Sequence, residues 1–171
     1  LQVRKTNALL YHHWGLVLQQ QGKLDEALLK FKKTASLQPD HAEAHFNIGY
    51  ILQSRGENDI AATKYRQAIG ARKDYAEARY ALAGVLCGQG DLAGAAAEYE
   101  ACLALKPDFA EACSNLGTIL KMQNRNDEAA VLYRRALSLK PDFAEGHYNL
   151  GTVLQAQGRP DDAAASYRQA L

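Results

Sequence analysis

The stretch Ala110-Glu111-Ala112-Cys113-Ser114-Asn115-Leu116-Gly117-Thr118-Ile119-Leu120-Lys121-Met122 puts apolar residues at Cys113, Leu116, Ile119 and Leu120. That is the i, i+3, i+6, i+7 rhythm of one helical face. A break follows at Asn124-Arg125-Asn126, and residues 127–139 resume the rhythm with Ala129, Leu132, Tyr133, Ala136 and Leu137. Outward from this stretch, the two-helix pattern returns every 34 residues. Trp14-Gly15, Ile48-Gly49, Leu82-Ala83, Leu116-Gly117 and Leu150-Gly151 keep that spacing, as do Ala27, Ala61, Ala95, Ala129 and Ala163. An aromatic series, Phe31, Tyr65, Tyr99, Tyr133 and Tyr167, follows the same period. A fixed period of this size predicts small helical units stacked on one another instead of one globular core.

The punctuation agrees. The break falls at Gly22, Gly56, Gly90, Asn124 and Gly158; glycine, and after it asparagine, best tolerates the left-handed conformation that ends a helix. Pro160 follows the last break, at the start of a second helix, where a missing N–H costs little. Between units, Gln38-Pro39-Asp40, Lys106-Pro107-Asp108 and Lys140-Pro141-Asp142 stop one helix and start the next. Asp40/Glu43, Asp74/Glu77, Asp108/Glu111 and Asp142/Glu145 have the spacing of a capping box. Arg72-Lys73-Asp74 lacks the proline and follows Gly70, so it reads as the softest joint. No segment alternates long enough to predict a strand.

The chain carries 20 basic and 19 acidic residues, a net charge of +1. This balance gives no electrostatic reason to expect nucleic acid or an anionic membrane. No apolar run approaches the roughly 18 residues of a membrane span. Cys87, Cys102 and Cys113 lack CxxC spacing and read as free thiols in a reducing compartment, which points to the cytoplasm. His12-His13 are adjacent on a helix, about 100° apart, without an i+4 partner, so they make a poor metal site. His45 and His147 share one repeat phase and read as packing residues. No phosphate loop, HExxH or nucleophile elbow occurs. The expectation is no catalytic residue, no metal and no cofactor.

The Trp/Leu-Gly pairs, the later aromatic, the small alanines and the joint prolines together resemble the tetratricopeptide repeat, over the whole chain. The resemblance implies an all-α fold, a right-handed superhelix of five helix-turn-helix repeats with the first helix of each lining an inner groove. The units are then residues 8–41, 42–75, 76–109, 110–143 and a truncated 144–171, preceded by 1–7 as the tail of an earlier repeat helix. In that picture Gly15, Gly49, Gly117 and Gly151 let paired helices approach closely. Because the chain starts and stops inside a repeat, it reads as a piece of a longer protein; otherwise its uncapped ends stack on another copy or fray.

The predicted groove is polar and nearly uncharged. Asn47, Asn115 and Asn149 recur one residue before the Leu/Ile-Gly pair, and an amide side chain can both donate to and accept from the backbone of an extended peptide. That ladder, with Leu18–Ala27 and the repeated Asn-Leu-Gly, resembles the repeat arm of O-linked N-acetylglucosamine transferases, which implies asparagines holding substrate backbone. His13 and Ala81 interrupt it, and solvated asparagine is the plain alternative. Phe46, Tyr50, Tyr80 and Tyr148 offer apolar contact, with Thr118 and Thr152 beside them. Gly84, among Ala81, Cys87 and Gly88, marks a dent: either something approaches the backbone, or the helix is merely weak there. Lys121 is the groove's single lysine and no arginine joins it, so the basic clamp some family members use for chaperone tails cannot form.

The expected function is a non-catalytic protein–protein interaction scaffold that binds an extended peptide segment, with no nucleic acid or membrane as partner. One alternative is the substrate-recruiting arm of a glycosyltransferase similar to the O-linked N-acetylglucosamine enzymes. A second is a scaffold that self-associates end to end.

Overall fold

A computed structural model describes residues 2–171, with side chains from Thr6 onward. Leu1, part of the expected leading segment, lies outside the described residues. Ten α-helices and no strand occur among the described residues. They fall into two units, Leu1–Asp91 and Leu92–Leu171. The first holds α1 (Gln2–Gln20), α2 (Leu24–Leu37), α3 (Ala42–Ser54), α4 (Asn58–Ala71) and α5 (Ala76–Gly88). The second holds α6 (Leu92–Leu105), α7 (Ala110–Met122), α8 (Asn126–Leu139), α9 (Ala144–Ala156) and α10 (Pro160–Gln169). In the first unit α1 packs on α2 and α3 on α4, while α2 meets α3 and α4 meets α5; in the second, each helix from α6 to α10 packs on the next. No described helix is long and apolar enough to cross a membrane.

The breaks form as their residues dictate. Gly56 has φ +77° and Asn124 φ +60°, both left-handed. Each break returns a backbone N–H to the helix it ends, Glu57 to the Leu52 carbonyl at 3.0 Å and Arg125 to Leu120 at 2.9 Å. Pro160 opens α10 at its first turn.

Close approach within a pair is set by a glycine and an aromatic. A Cβ on Gly49 would lie 2.8 Å from the Tyr65 ring, and one on Gly151 would lie 2.5 Å from Tyr167. The ring therefore lies against bare backbone. Phe31, Tyr65 and Tyr133 are fully enclosed, as are Ala27, Ala61, Ala95 and Ala129. Replacing such a ring with alanine costs about 3–5 kcal/mol.

One expectation needs correction at the joints. The capping boxes do not form. The N-caps of α3, α5, α7 and α9 are His41, Tyr75, Phe109 and Phe143, one residue after each aspartate. This places Glu43 and its counterparts at the second helical position, where a capping box requires the third. They still favour the positive helix start, and two reach a basic side chain at the far end of their own repeat. Glu43 accepts from Arg72 Nη1 at 2.6 Å, and Glu111 from Lys140 Nζ at 3.4 Å. The proline-free joint carries contacts of its own. The Arg72 guanidinium lies 3.6 Å from the centroid of the Tyr75 ring while it holds Glu43.

The chain's start differs from the alignment as well. Residues 2–20 form one helix, without a break where the other repeats carry a joint. Trp14 is 52% exposed, although Ile48, Leu82, Leu116 and Leu150 at its phase are buried.

Candidate binding surfaces on the first helices

The predicted site residues lie on α3 and α5 in the first unit and on α7 and α9 in the second. On α3, Tyr50 is half-exposed, and Phe46 lies between two rings, 5.7 Å from Tyr65 and 5.2 Å from Tyr75. Phe46 is thus more an anchor of the fold than a free contact. Tyr65, buried beneath, donates its hydroxyl to Gln53 Oε1 at 2.7 Å, and burial pushes its phenol well above the usual range. On α5, Tyr80, Ala81, Gly84 and Cys87 are half-buried.

Asn47 is half-buried, and its Nδ2 donates to His12 Nε2 at 3.2 Å. An amide NH₂ can only donate, so this His12 nitrogen must be the unprotonated acceptor. His12 is 8% exposed, with the Phe31 ring 5.7 Å away, His41 4.6 Å and His13 5.9 Å. Burial, then the neighbouring His41, brings its pKa down to about 4, against a smaller upward pull from Glu43. His41 caps α3, its Nδ1 accepting from the Ala44 N–H at 3.3 Å. Burial lowers its pKa too, and Glu43 opposes the shift.

In the second unit, Asn115 Nδ2 donates to the Tyr99 hydroxyl at 3.1 Å. Asn149 is 7% exposed and accepts from Lys121 Nζ at 3.3 Å. Thr118 shares a 3.1 Å hydrogen bond with the Tyr133 hydroxyl, and Thr152 donates to the Asn149 carbonyl at 2.7 Å. Tyr148 is 56% exposed, 6.0 Å from the Tyr167 ring. Each asparagine of the predicted row therefore already bridges to a neighbouring helix. Tyr50 and Tyr148 stand furthest into solvent.

His45 and His147 act as the repeat phase suggests: each donates Nε2–H to a joint carbonyl, Pro39 and Pro141, at 2.8 Å. Cys102 and Cys113 are buried thiols, with burial raising the Cys113 pKa, and Cys87 is half-buried; none is in a disulfide. Sequence reasoning missed His41, Arg72 and Tyr75 as partners of this surface. The signal was present in the repeat phase. His41, Tyr75, Phe109 and Phe143 share one position, and His12, Phe46, Tyr80, Ser114 and Tyr148 share another.

This geometry defines a helical repeat protein whose first helices present aromatic and amide side chains. Family models described as TPR repeat match residues 15–56 and 117–158, and models described as tetratricopeptide repeat match 51–110 and 148–171. The chain belongs to the tetratricopeptide repeat family. Among solved structures it is similar to MamA from Desulfovibrio magneticus RS-1 (TM-score 0.85, 22% identity, covering 96% of this chain and 93% of that one). PilF of Pseudomonas aeruginosa gives 0.85 at 20% identity, covering 98% and 76%. YrrB, described as a TPR protein with an unusual peptide-binding site, gives 0.81 at 21%, covering 94% and 82%. Protein O-mannosyl-transferase Tmtc3 of Drosophila melanogaster is 40% identical over 48 residues. That match covers 28% of this chain and only 5% of the longer protein. The shared fold is consistent with a protein–protein interaction scaffold.

Proposed function

We propose that this chain is a non-catalytic interaction module that docks an extended segment of another protein against its first helices. The carrying observation is the exposure of Tyr50 on α3 of the first unit, which also carries Phe46 and Asn47, and of Tyr148 on α9 of the second, which also carries Asn149 and Thr152; Tyr80 and Gly84 on α5 and Asn115 and Thr118 on α7 complete the reading. Large, stiff aromatic side chains bury much area at low entropic cost, and amides match peptide backbone irrespective of its side chains. The peptide-binding site named for YrrB supports the reading by likeness of fold. The free thiols accord with a reducing, cytoplasmic location.

The test is selection of peptides from a random library, followed by calorimetry with Tyr50→Ala and Tyr148→Ala. Each should weaken the selected peptide by about tenfold, the effect of roughly 1.4 kcal/mol, with little change in thermal stability. Unaltered affinity in both variants would remove this surface from consideration.

A second reading, the recruiting arm of a glycosyltransferase, draws on the 48-residue match to an O-mannosyl-transferase. It is separated from the first by the full-length gene product: a transferase domain beside the repeats supports it, and its absence leaves an adaptor. End-to-end self-association has an argument against its regular form. Leu10 stands where Ala44, Ala78 and Ala112 are fully enclosed, and Trp14 stands where Ile48 is. Light scattering over a concentration series should give a constant monomer mass.

A further inference from the structure

The ring contact where α1 and α2 meet the cap of α3 has a counterpart one period on. His12, Phe31 and His41 occupy the positions of Phe46, Tyr65 and Tyr75. The rings keep the arrangement: His12 is 5.7 Å from Phe31 and 4.6 Å from His41, while Phe46 is 5.7 Å from Tyr65 and 5.2 Å from Tyr75. Where the second seam is built from phenyl and phenol rings, the first is built from two imidazoles, each accepting a hydrogen bond at an unprotonated nitrogen. His12 Nε2 accepts from Asn47, and His41 Nδ1 accepts from the Ala44 N–H that starts α3. A proton on either nitrogen turns an acceptor into a donor facing a donor. The two rings are also close enough that charging both is opposed by repulsion.

We propose that this seam is an acid-released contact: protonation of the His12–His41 pair loosens α1 from α2 and α3, while the Phe46–Tyr75 seam of the same unit stays closed. The groups facing the pair fit this role. From α1 comes His13, a third imidazole; from the joint, Asp40; from α3, Glu43 and His45; from α2, the uncharged Phe31 ring. Glu43 is the carboxylate best placed to receive a charged His41, with Oε2 3.3 Å from Nδ1, but its Oε1 is already held by Arg72. No second carboxylate faces His12 directly among the groups that shift it. A charged His12 would therefore stay buried without a counter-ion of its own, the arrangement that costs most.

The sign follows from the direction of the shifts. Both histidines bind a proton more weakly folded than unfolded. The seam's contribution is complete above the ordinary imidazole value of 6.5 and is lost as pH falls from there toward about 4.

Trp14, the chain's one tryptophan, reports the event. It lies on α1 with the Lys30 ammonium of α2 3.6 Å from its ring centroid. The experiment titrates the whole chain from pH 8 to 4, following tryptophan emission and far-ultraviolet circular dichroism together. The expected result is an emission change between pH 6.5 and 4 while most helical signal persists, abolished in the double variant His12→Phe/His41→Tyr. That variant copies the Phe46–Tyr75 pair. Unchanged Trp14 emission in the parent, or the same transition in the variant, overturns the proposal. If the variant does not fold, proton NMR of the parent decides. His12 titrating well below 6.5, together with movement of the Trp14 indole signal, supports release; titration near 6.5 with a still indole overturns it.

Discussion

Two ring triads, one repeat apart in the first unit, teach what the repeat fixes and what it leaves free. Phe31 and Tyr65 are both fully buried, and a glycine backbone, Gly15 or Gly49, lies against each. The outer rings differ in chemistry. Phe46 and Tyr75 form an apolar pair roofed by Arg72, which is itself held by Glu43. Burial raises the Tyr75 phenol to about 12, so that pair carries no charge at any physiological pH. His12 and His41 fill the same places with groups whose charge changes near neutrality. The fold dictates a ring at each position; it does not dictate which ring, and the choice sets how each seam answers to acid.

The largest test of their common scaffold is deletion of the central ring. Phe31→Ala and Tyr65→Ala should each cost about 3–5 kcal/mol in urea melts; a clear difference would mean the triads are not equivalent. Next, Gly49→Ala should cost about 1–3 kcal/mol, because its new Cβ lies 2.8 Å from the Tyr65 ring. The sharpest contrast between the triads is in pH. Stability should fall between pH 6.5 and 5 by up to about 1.4 kcal/mol per unit for each depressed histidine, and His12→Phe/His41→Tyr should flatten that slope. Removing the roof of the other seam, Arg72→Met, should cost about 1 kcal/mol at pH 8, from a partly exposed ion pair and a cation–ring contact, and should make the acid slope shallower, because Glu43 is then free to pair with a charged His41. Smallest is the surface tie between Asp25 and Arg55, since Asp25 is almost fully exposed. Asp25→Ala should change stability by less than about 0.5 kcal/mol.

Much of this was written in the period. Leu116-Gly117, Tyr133 and Asn124 give both helices, their contact and the break, because the left-handed turn and the glycine–ring approach are local demands on single residues. The joints were harder to read. Asp40 and Glu43 have capping-box spacing, but the helix starts one residue later than that spacing assumes, so the glutamate reaches across to Arg72 instead. The asparagines were legible as one repeat phase but not as a set of bonds. Their partners, His12, Tyr99 and Lys121, come from different helices and different phases. The approach of His12 to His41 depends on side-chain direction across a seam, and becomes visible in sequence only when both are compared with Phe46 and Tyr75.

The proposed function requires that partners dock on the first helices. Amide chemical-shift mapping with a library-selected peptide tests it most directly. Shifts and loss of solvent exposure are expected around Tyr50 and Tyr148, with residues flanking Leu29 and Val131 unmoved; those two are also well exposed, but sit on second helices. Shifts gathered around Leu29 or Val131, with Tyr50 and Tyr148 silent, would contradict it.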